Sequence, residues 1–222
     1  MIGLFDSGSG GLNTVRYIKK AAPDIDLVYL IDREHAPYGI KSEKELIRIT
    51  EENIEKLRAM RADRVLIACC TASTVHPRLK DEYKKISVPI ISAVANMAKK
   101  STRSRGIGVI ATKHTAESHA FGNLLDGYFV KEAAAQELVG MIDGGLSDSN
   151  MSEEDEKKIE DILSPVLLSG IDTLILGCTH FPSIVKTAER ISARYGIKNV
   201  IDSARAGGDL IIKLERQTKR SK

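Results

Sequence analysis

The sequence predicts an α/β protein of two related, doubly wound parallel-sheet halves, with the functional site between them. Short apolar runs alternate with amphipathic helical patterns along the chain, which is typical of parallel sheets whose strands are joined by helices. Two of these runs also end alike, since Ala68-Cys69-Cys70-Thr71 is echoed by Gly177-Cys178-Thr179-His180. An internal repeat of this kind indicates two similar units, each of which brings a thiol to the end of a strand.

In the first half, apolar runs and helix signals follow one another in the order expected of βαβ units. Ser42 and Glu45 have the spacing of a capping box and predict the start of a helix. Another helix is predicted over Leu12 to Ala21. The predicted strands of this half are Ile2 to Phe5, Leu27 to Ile31, Val65 to Ala68, and one around Pro89 to Val94.

The second half restarts the pattern at Ile107-Gly108-Val109-Ile110, which echoes the N-terminal strand. Ser152 and Asp155 predict the start of a further helix, and the strand Leu174 to Leu176 follows it. We expect the boundary between the halves in the polar stretch Lys99 to Arg105. The predicted division is 1–98 for the first α/β domain, 99–202 for the second, and 203–222 returning to the first.

Composition excludes several classes of function. The chain has 222 residues, of which 42% are hydrophobic, so it can bury a full core. Its formal charge of +3 is small and dispersed, which argues against nucleic-acid binding. No apolar run is long enough to span a bilayer, and the N-terminus does not have the pattern of a signal peptide. Three cysteines make a poor disulfide framework, so we expect a cytoplasmic protein with free thiols.

The two matched cysteines are the candidate catalytic groups. Cys69 and Cys178 each follow a buried strand, at the sheet edge where open α/β proteins bind ligands. Two thiols that face one pocket from opposite sides suit a racemase, in which one thiolate removes a proton and the opposed thiol returns one. Asp6 and His180 are the leading candidates to adjust the two thiols differently. The alternative is that the cysteines are inert core residues and that Asp6 and His180 belong to turns or caps.

The glycine-rich stretch from Asp6 to Gly11 matches neither a P-loop nor a dinucleotide-binding loop, because it lacks the lysine of the first and the spacing of the second. Its glycines favour a close approach of the backbone to a small anion. A thiolate metal site of Cys69, Cys70, Cys178 and His180 is a weaker alternative, since adjacent cysteines lack the usual ligand spacing. Four threonines could donate hydrogen bonds to a ligand through their hydroxyl groups, and the alternative is that each is only a helix N-cap. They are Thr71, Thr112, Thr115 and Thr179.

Several ordered motifs together resemble the glutamate racemases of the aspartate/glutamate racemase family. The similarity extends over nearly the whole chain, and a set of motifs at matching intervals is far more specific than any one of them. The motifs are Phe5-Asp6-Ser7-Gly8, Pro37-Tyr38-Gly39, Ala68-Cys69-Cys70-Thr71-Ala72-Ser73, Ile107-Gly108-Val109-Ile110 with Thr112, Thr115 and Ser118, Gly177-Cys178-Thr179-His180-Phe181-Pro182 and Ile201-Asp202-Ser203.

The resemblance implies a racemase that needs neither pyridoxal phosphate nor a metal, is often dimeric, and makes D-glutamate for peptidoglycan. It implies that Cys69 and Cys178 are the acid/base thiols and that Asp6 and His180 support them. No cofactor is expected, and the expected partners are a small amino-acid substrate and a second copy of the chain. The residues implied to contact the substrate are Ser7, Tyr38, Gly39, Cys70, Thr71, Thr115 and Thr179.

The sequence departs from the family pattern at three places. Cys70 stands where the family has a substrate-contacting Asn, which removes a group that both donates and accepts hydrogen bonds. The family's Ala-Cys-Pro segment and a later Glu appear as Ala133-Ala134-Ala135 and Asp143. Two alternatives therefore stay open. One is a racemase of another amino acid, for example a basic one that faces Asp143, and the other is an inactive member that binds an amino acid or a protein.

Overall fold

Two four-stranded parallel sheets form the framework of the protein. The structure is a computed structural model that describes residues 1–220, so the last two residues of the predicted segment 203–222 lie outside the described residues. The strand order of the first sheet is β2-β1-β3-β4 and that of the second is β6-β5-β7-β8. The strands are β1 (Ile2–Asp6), β2 (Leu27–Ile31), β3 (Arg64–Ile67), β4 (Ser87–Pro89), β5 (Gly106–Ala111), β6 (Phe129–Ala134), β7 (Thr173–Gly177) and β8 (Asn199–Asp202).

Helices connect the strands and cover the sheets. Parallel strands need such crossover connections, because the chain must pass from the carboxyl end of one strand back to the amino end of the next, which a tight turn cannot do. Three short 3-10 helices lie at Tyr38–Ile40, His76–Arg78 and Phe181–Ile184. The α-helices are α1 (Leu12–Ala21), α2 (Glu43–Ala59), α3 (Cys70–Ser73), α4 (Asp81–Ile86), α5 (Ile90–Ser101), α6 (Lys113–Glu117), α7 (Ala120–Leu124), α8 (Gln136–Asp143), α9 (Glu153–Leu167), α10 (Val185–Arg194) and α11 (Ser203–Arg220).

The predicted α/β class and the doubly wound parallel sheets are confirmed. In each sheet the chain first builds outward to one side and then crosses to the other, so the switch points lie between β1 and β3 and between β5 and β7. The predicted helix starts are also confirmed. Ser42 and Glu45 form a complete capping box at α2, and the hydroxyl of Ser152 accepts a hydrogen bond from the backbone N–H of Asp155 at α9.

The strand predicted around Pro89 to Val94 is wrong. Strand β4 ends at Pro89, and the apolar residues that follow it belong to α5. Ile90, Ile91 and Val94 of this helix are all buried, because α5 packs against β4, β7, β8 and α11. A short continuous run of buried apolar residues at the start of a helix cannot be told from a buried strand by its periodicity.

A shared apolar core joins the two halves. One cluster of buried side chains contains Leu4 and Leu66 of the first sheet together with Val109 and Ile175 of the second. Helix α11 contributes Ile211 to the same cluster and packs against α1 and α5. The predicted division at residues 98 and 99 falls within α5 and stays a prediction. Within residues 1–220, none of the helices combines the length and the apolar character of a membrane span.

The loop between β1 and α1 packs against the second half through Gly10. A Cβ atom at this position would lie 2.5 Å from the hydroxyl oxygen of Thr179 and 2.8 Å from its carbonyl carbon. The second of these is a backbone atom, which cannot move aside as a flexible side chain would. Glycine at position 10 is therefore required by the close approach of the two halves.

We expect Gly10→Ala to destabilise the protein by about 1–3 kcal/mol, because the added methyl group overlaps Thr179. Denaturant unfolding of the variant and of the wild type measures the difference. Gly140→Ala in α8 is the matched control, since a Cβ there meets nothing within 4 Å. That control should instead gain about 0.5–1 kcal/mol from the better helix former. Equal stability of Gly10→Ala and the wild type would contradict the packing argument.

Candidate active site

A cavity of about 170 Å³ lies where the carboxyl ends of the central strands of both sheets meet. Ligands of open α/β sheets bind at such switch points, and here two of them face each other. Cys69 follows β3 and Cys178 follows β7, so each sheet supplies one thiol. The predicted site residues that line this cavity are Ser7, Tyr38, Gly39, Cys69, Cys70, Thr71, Cys178, Thr179 and His180.

Asp6 does not line the cavity but lies buried behind Cys69. Its Oδ2 atom accepts hydrogen bonds from the backbone N–H of Gly11 at 2.7 Å and from the hydroxyl of Thr179 at 3.1 Å. Burial raises the pKa of Asp6, although His180 and these hydrogen bonds oppose the rise. The glycine-rich loop therefore directs the N–H of Gly11 to the protein's own carboxylate, whereas the sequence suggested that its glycines face a bound anion.

The environment of Cys69 favours its protonated form. Burial raises the pKa of the Cys69 thiol well above its ordinary value, and the negative charge of Asp6 adds to the rise. The hydroxyl of Ser7 lies 3.8 Å from the Cys69 sulfur. Asp6 is thus placed where a proton leaving Cys69 meets a carboxyl group that burial has made more basic.

Cys178 has a different set of neighbours. The Nδ1 atom of His180 lies 3.6 Å from the Cys178 sulfur, and its Nε2 atom lies 3.0 Å from Oδ1 of Asp143. Burial raises the pKa of Cys178 to about 12. An imidazole held between a carboxylate and a thiol can exchange a proton with the thiol while the carboxylate stabilises the charged ring. The two thiols therefore differ in their neighbours: Asp6 lies beside Cys69, and His180 lies beside Cys178.

Tyr38 lines the cavity, but its hydroxyl group is engaged inside the protein. The hydroxyl donates a hydrogen bond to Oδ2 of Asp32 at 2.6 Å and accepts one from Nδ2 of Asn53 at 2.8 Å. Burial and the bond to Asp32 raise the pKa of Tyr38. The network holds the segment Pro37 to Gly39 against the cavity, so Tyr38 shapes the wall with its ring and backbone.

Sequence reasoning missed Asp32 and Asn53. Burial raises the pKa of Asp32, but hydrogen bonds from Tyr38, Asn53 and His35 outweigh this effect and lower it overall. Asp32 directly follows β2, just as Asp6 ends β1, and this shared position was the available signal. Asn53 lies in the middle of α2, where nothing in the sequence separates it from an ordinary helix residue.

Three threonine hydroxyl groups connect the two halves beside the cavity. Thr71 of the first half lies 3.1 Å from Thr112 and 3.3 Å from Thr115 of the second, and Thr112 donates to Thr115 at 2.9 Å. Thr112 lines the cavity, whereas Thr115 is fully buried behind it. The structure thus brings Thr71 and Thr112 to the cavity and places Thr115 one layer further back.

Cys70 belongs both to the cavity wall and to the core. It is 2% exposed, lines the cavity, and packs with the apolar cluster that joins the halves. Burial raises the pKa of its thiol well above the ordinary value. The nearby Cys178 and Cys69 add to this rise when they are ionised. The residue therefore presents a weakly polar, uncharged surface to whatever occupies the cavity.

The alternative of a thiolate metal site is not supported by the geometry. Among the described residues, only Asp32, Glu34 and His35 bring three metal-ligating atoms within 4.8 Å of one another. The three thiols and His180 form no such group. Asp32 is already bonded to Tyr38, so the donors of that group serve the wall of the cavity.

The chain matches known racemases in sequence and in structure. The profile of the Asp/Glu/Hydantoin racemase family matches residues 12–211. The glutamate racemase of Desulforudis audaxviator is 36% identical over 195 residues, which are 86% of this chain and 70% of that protein. The profile match spans most of the chain and therefore establishes the family. It includes the candidate catalytic residues Cys69, Cys178 and His180, whereas Asp6 precedes it.

Two crystal structures show the same architecture over 98% of this chain. The glutamate racemase isoform of Bacillus anthracis has a TM-score of 0.87 at 26% identity, with 82% of that chain covered. The Francisella tularensis glutamate racemase in complex with D-glutamate has a TM-score of 0.84 at 27% identity, with 81% covered. From the profile match and these similarities, we conclude that the protein belongs to the Asp/Glu/Hydantoin racemase family.

Proposed function

We propose that the protein is a glutamate racemase that interconverts L- and D-glutamate without pyridoxal phosphate, using Cys69 and Cys178 as its two acid/base groups. One observation carries the proposal: two thiols from equivalent strand ends line the same small cavity, and each has its own proton-transfer partner. The relatives named above are glutamate racemases, and one of the similar structures binds D-glutamate.

In the proposed reaction, one thiolate removes the α-proton of the amino acid and becomes a thiol. The opposed thiol gives its proton to the other face of the α-carbon and becomes a thiolate, so the product is the mirror image and the proton count is unchanged. The roles of Cys69 and Cys178 exchange for the reverse direction.

Both thiols are protonated in the empty site near neutral pH, because burial raises both pKa values. A thiolate must therefore form while the substrate is present. Oδ1 of Asp6 has no hydrogen-bond partner among the described residues and is placed to take a proton on the Cys69 side. On the Cys178 side, His180 takes the proton and Asp143 stabilises the imidazolium.

The cavity suits a single free amino acid. Its volume of about 170 Å³ lies below the roughly 300–1,000 Å³ of pockets for drug-sized ligands. None of the described residues lining it is lysine or arginine, so hydroxyl and backbone N–H donors hold the substrate carboxylates. We assign these contacts to Ser7, Gly39 and Thr71, and to the backbone N–H groups of Thr112 and Thr179, whose hydroxyl groups already donate to Thr115 and Asp6.

The cellular setting belongs to the same proposal. D-Glutamate formed by this reaction supplies peptidoglycan synthesis, which places the protein in the cytoplasm. Its three cysteines are all free in the structure, which fits a reducing compartment. A homodimer is a further prediction, taken from the family resemblance, and size-exclusion chromatography with light scattering tests it.

Two other functions receive less support. A basic substrate would need the Asp143 carboxylate, yet this group already pairs with His180. An inactive binding protein has no need for two thiols with separate proton-transfer partners. Incubation with single L-amino acids in deuterated water distinguishes the three, because exchange of the α-proton appears for glutamate, for another amino acid, or for none.

We expect Cys69→Ser and Cys178→Ser each to reduce racemisation by at least about 10²- to 10⁴-fold, since each face of the α-carbon has one proton-transfer group. Circular dichroism of D-glutamate formation measures the rate. Thermal unfolding of both variants serves as the control for folding. Near-normal turnover by either folded variant would contradict the two-thiol mechanism.

We expect the thiols of the free protein to react slowly with iodoacetamide near pH 7, because the pKa of Cys178 is raised to about 12 and that of Cys69 is also raised. Below the pKa the thiolate fraction, and with it the rate, rises roughly tenfold per pH unit. Peptide mass spectrometry measures each cysteine from about pH 7 to about pH 9. A rate independent of pH for Cys178 would reveal a thiolate and contradict the assignment.

We expect Cys70→Asn to raise kcat/KM for glutamate relative to other amino acids, if the amide meets the substrate at the cavity wall. A hydrogen bond to a charged substrate is worth about 1.5–3 kcal/mol, or roughly ten- to a hundredfold in rate. Thermal unfolding gives the control, because an amide turned into the core would instead cost about 1–3 kcal/mol of stability. A stable variant with an unchanged substrate profile would remove Cys70 from the specificity argument.

A further inference from the structure

A second cavity adjoins the catalytic one on its outer side. It has a volume of about 270 Å³ and shares Ser9, Asp143 and His180 with the catalytic cavity. The contact between His180 and Asp143 therefore lies in the wall between the two cavities. We call the second cavity the outer cleft and define it by Ser9, Asn13, Arg16, Asp143, Ser147 and His180.

The outer cleft has one cationic side chain that is not engaged elsewhere. Arg16 lines the cleft, is exposed, and has no ion-pair partner in the part of the chain that the structure describes. Asp143 also lines the cleft, and its Oδ1 atom lies 3.0 Å from Nε2 of His180 in the wall shared with the catalytic cavity. Asn13, one turn before Arg16 in α1, also lines the cleft, and its side-chain amide donates to the carbonyl oxygen of Thr179 at 3.1 Å.

The charge of Arg16 matters because the catalytic cavity has no lysine or arginine among its described lining residues. A cation at the mouth of a cleft raises the local concentration of anions and guides them inward. Glutamate carries a net charge of −1 at neutral pH, whereas neutral amino acids carry none and basic ones are positive. Arg16 thus favours an acidic amino acid before any contact inside the catalytic cavity is made.

We propose that the outer cleft is the entry and exit route of the catalytic cavity, and that Arg16 is a specificity-determining residue that draws in an anionic amino acid. This inference rests on the proposed glutamate racemase function. It assigns to Arg16 an electrostatic role outside the catalytic cavity, where no atom of the side chain takes part in proton transfer.

The test compares Arg16→Gln and Arg16→Lys with the wild type in the racemisation of L-glutamate at about 0.01 M and about 1 M salt. We expect Arg16→Gln to raise KM roughly three- to tenfold at low salt with kcat unchanged, and Arg16→Lys to restore the wild-type KM. At high salt the Debye length falls to about 3 Å, so the difference should disappear.

Lys20→Gln is the matched control, since Lys20 is an exposed cation of the same helix α1 that does not line the outer cleft. Its KM should equal that of the wild type at both salt concentrations. An unchanged KM for Arg16→Gln at low salt, an equal effect at both salt concentrations, or a loss confined to kcat would overturn the role of Arg16. A wild-type protein that does not racemise L-glutamate at all would overturn the proposed function and this inference together.

Discussion

The buried carboxylate of Asp6 is the interaction on which the arrangement of the site depends. A charged group without water is stable only when hydrogen bonds replace its hydration, and here they come from both halves of the protein. The N–H of Gly11 fixes the loop after β1, and the hydroxyl of Thr179 fixes the end of β7. Because Asp6 also lies beside Cys69, the bonds that hold the halves together keep a negative charge next to this thiol, and that charge adds to the larger rise in the Cys69 pKa that burial causes.

Elements with a strong local signal were predicted from the sequence. Helix α1 and strand β2 have the predicted bounds, and the capping box of Ser42 and the N-cap residue Ser152 correctly locate the starts of α2 and α9. The apolar run after Pro89 resembles a buried strand because Ile90, Ile91 and Val94 in the first turns of α5 are all buried, and the exposed Asn96 and Lys100 come only later in the helix. Strand β6 gave no signal, since it is only partly buried and carries Lys131 and Glu132 in its middle.

Within the site, the same distinction holds between local and long-range information. Cys69 and Cys178 could be placed because each directly follows a strong apolar strand, and strand ends converge in this class of fold. The pairing of Asp143 with His180 could not be predicted from the sequence, because it depends on where α8 lies relative to the end of β7. The position of Thr115 behind Thr112 likewise depends on how the halves meet, which no sequence pattern records.

The long helix α11 has a consequence for how the molecule is assembled. It packs against α1, and the hydroxyl of Tyr17 donates to Asp209 at 2.6 Å across 192 positions of the sequence. A helix needed by the first sheet therefore comes later in the chain than the whole of the second sheet. Such non-local closure is slow compared with local helix formation. During synthesis, the first half cannot complete its packing until the second half has been made, and part of its apolar surface stays exposed until then.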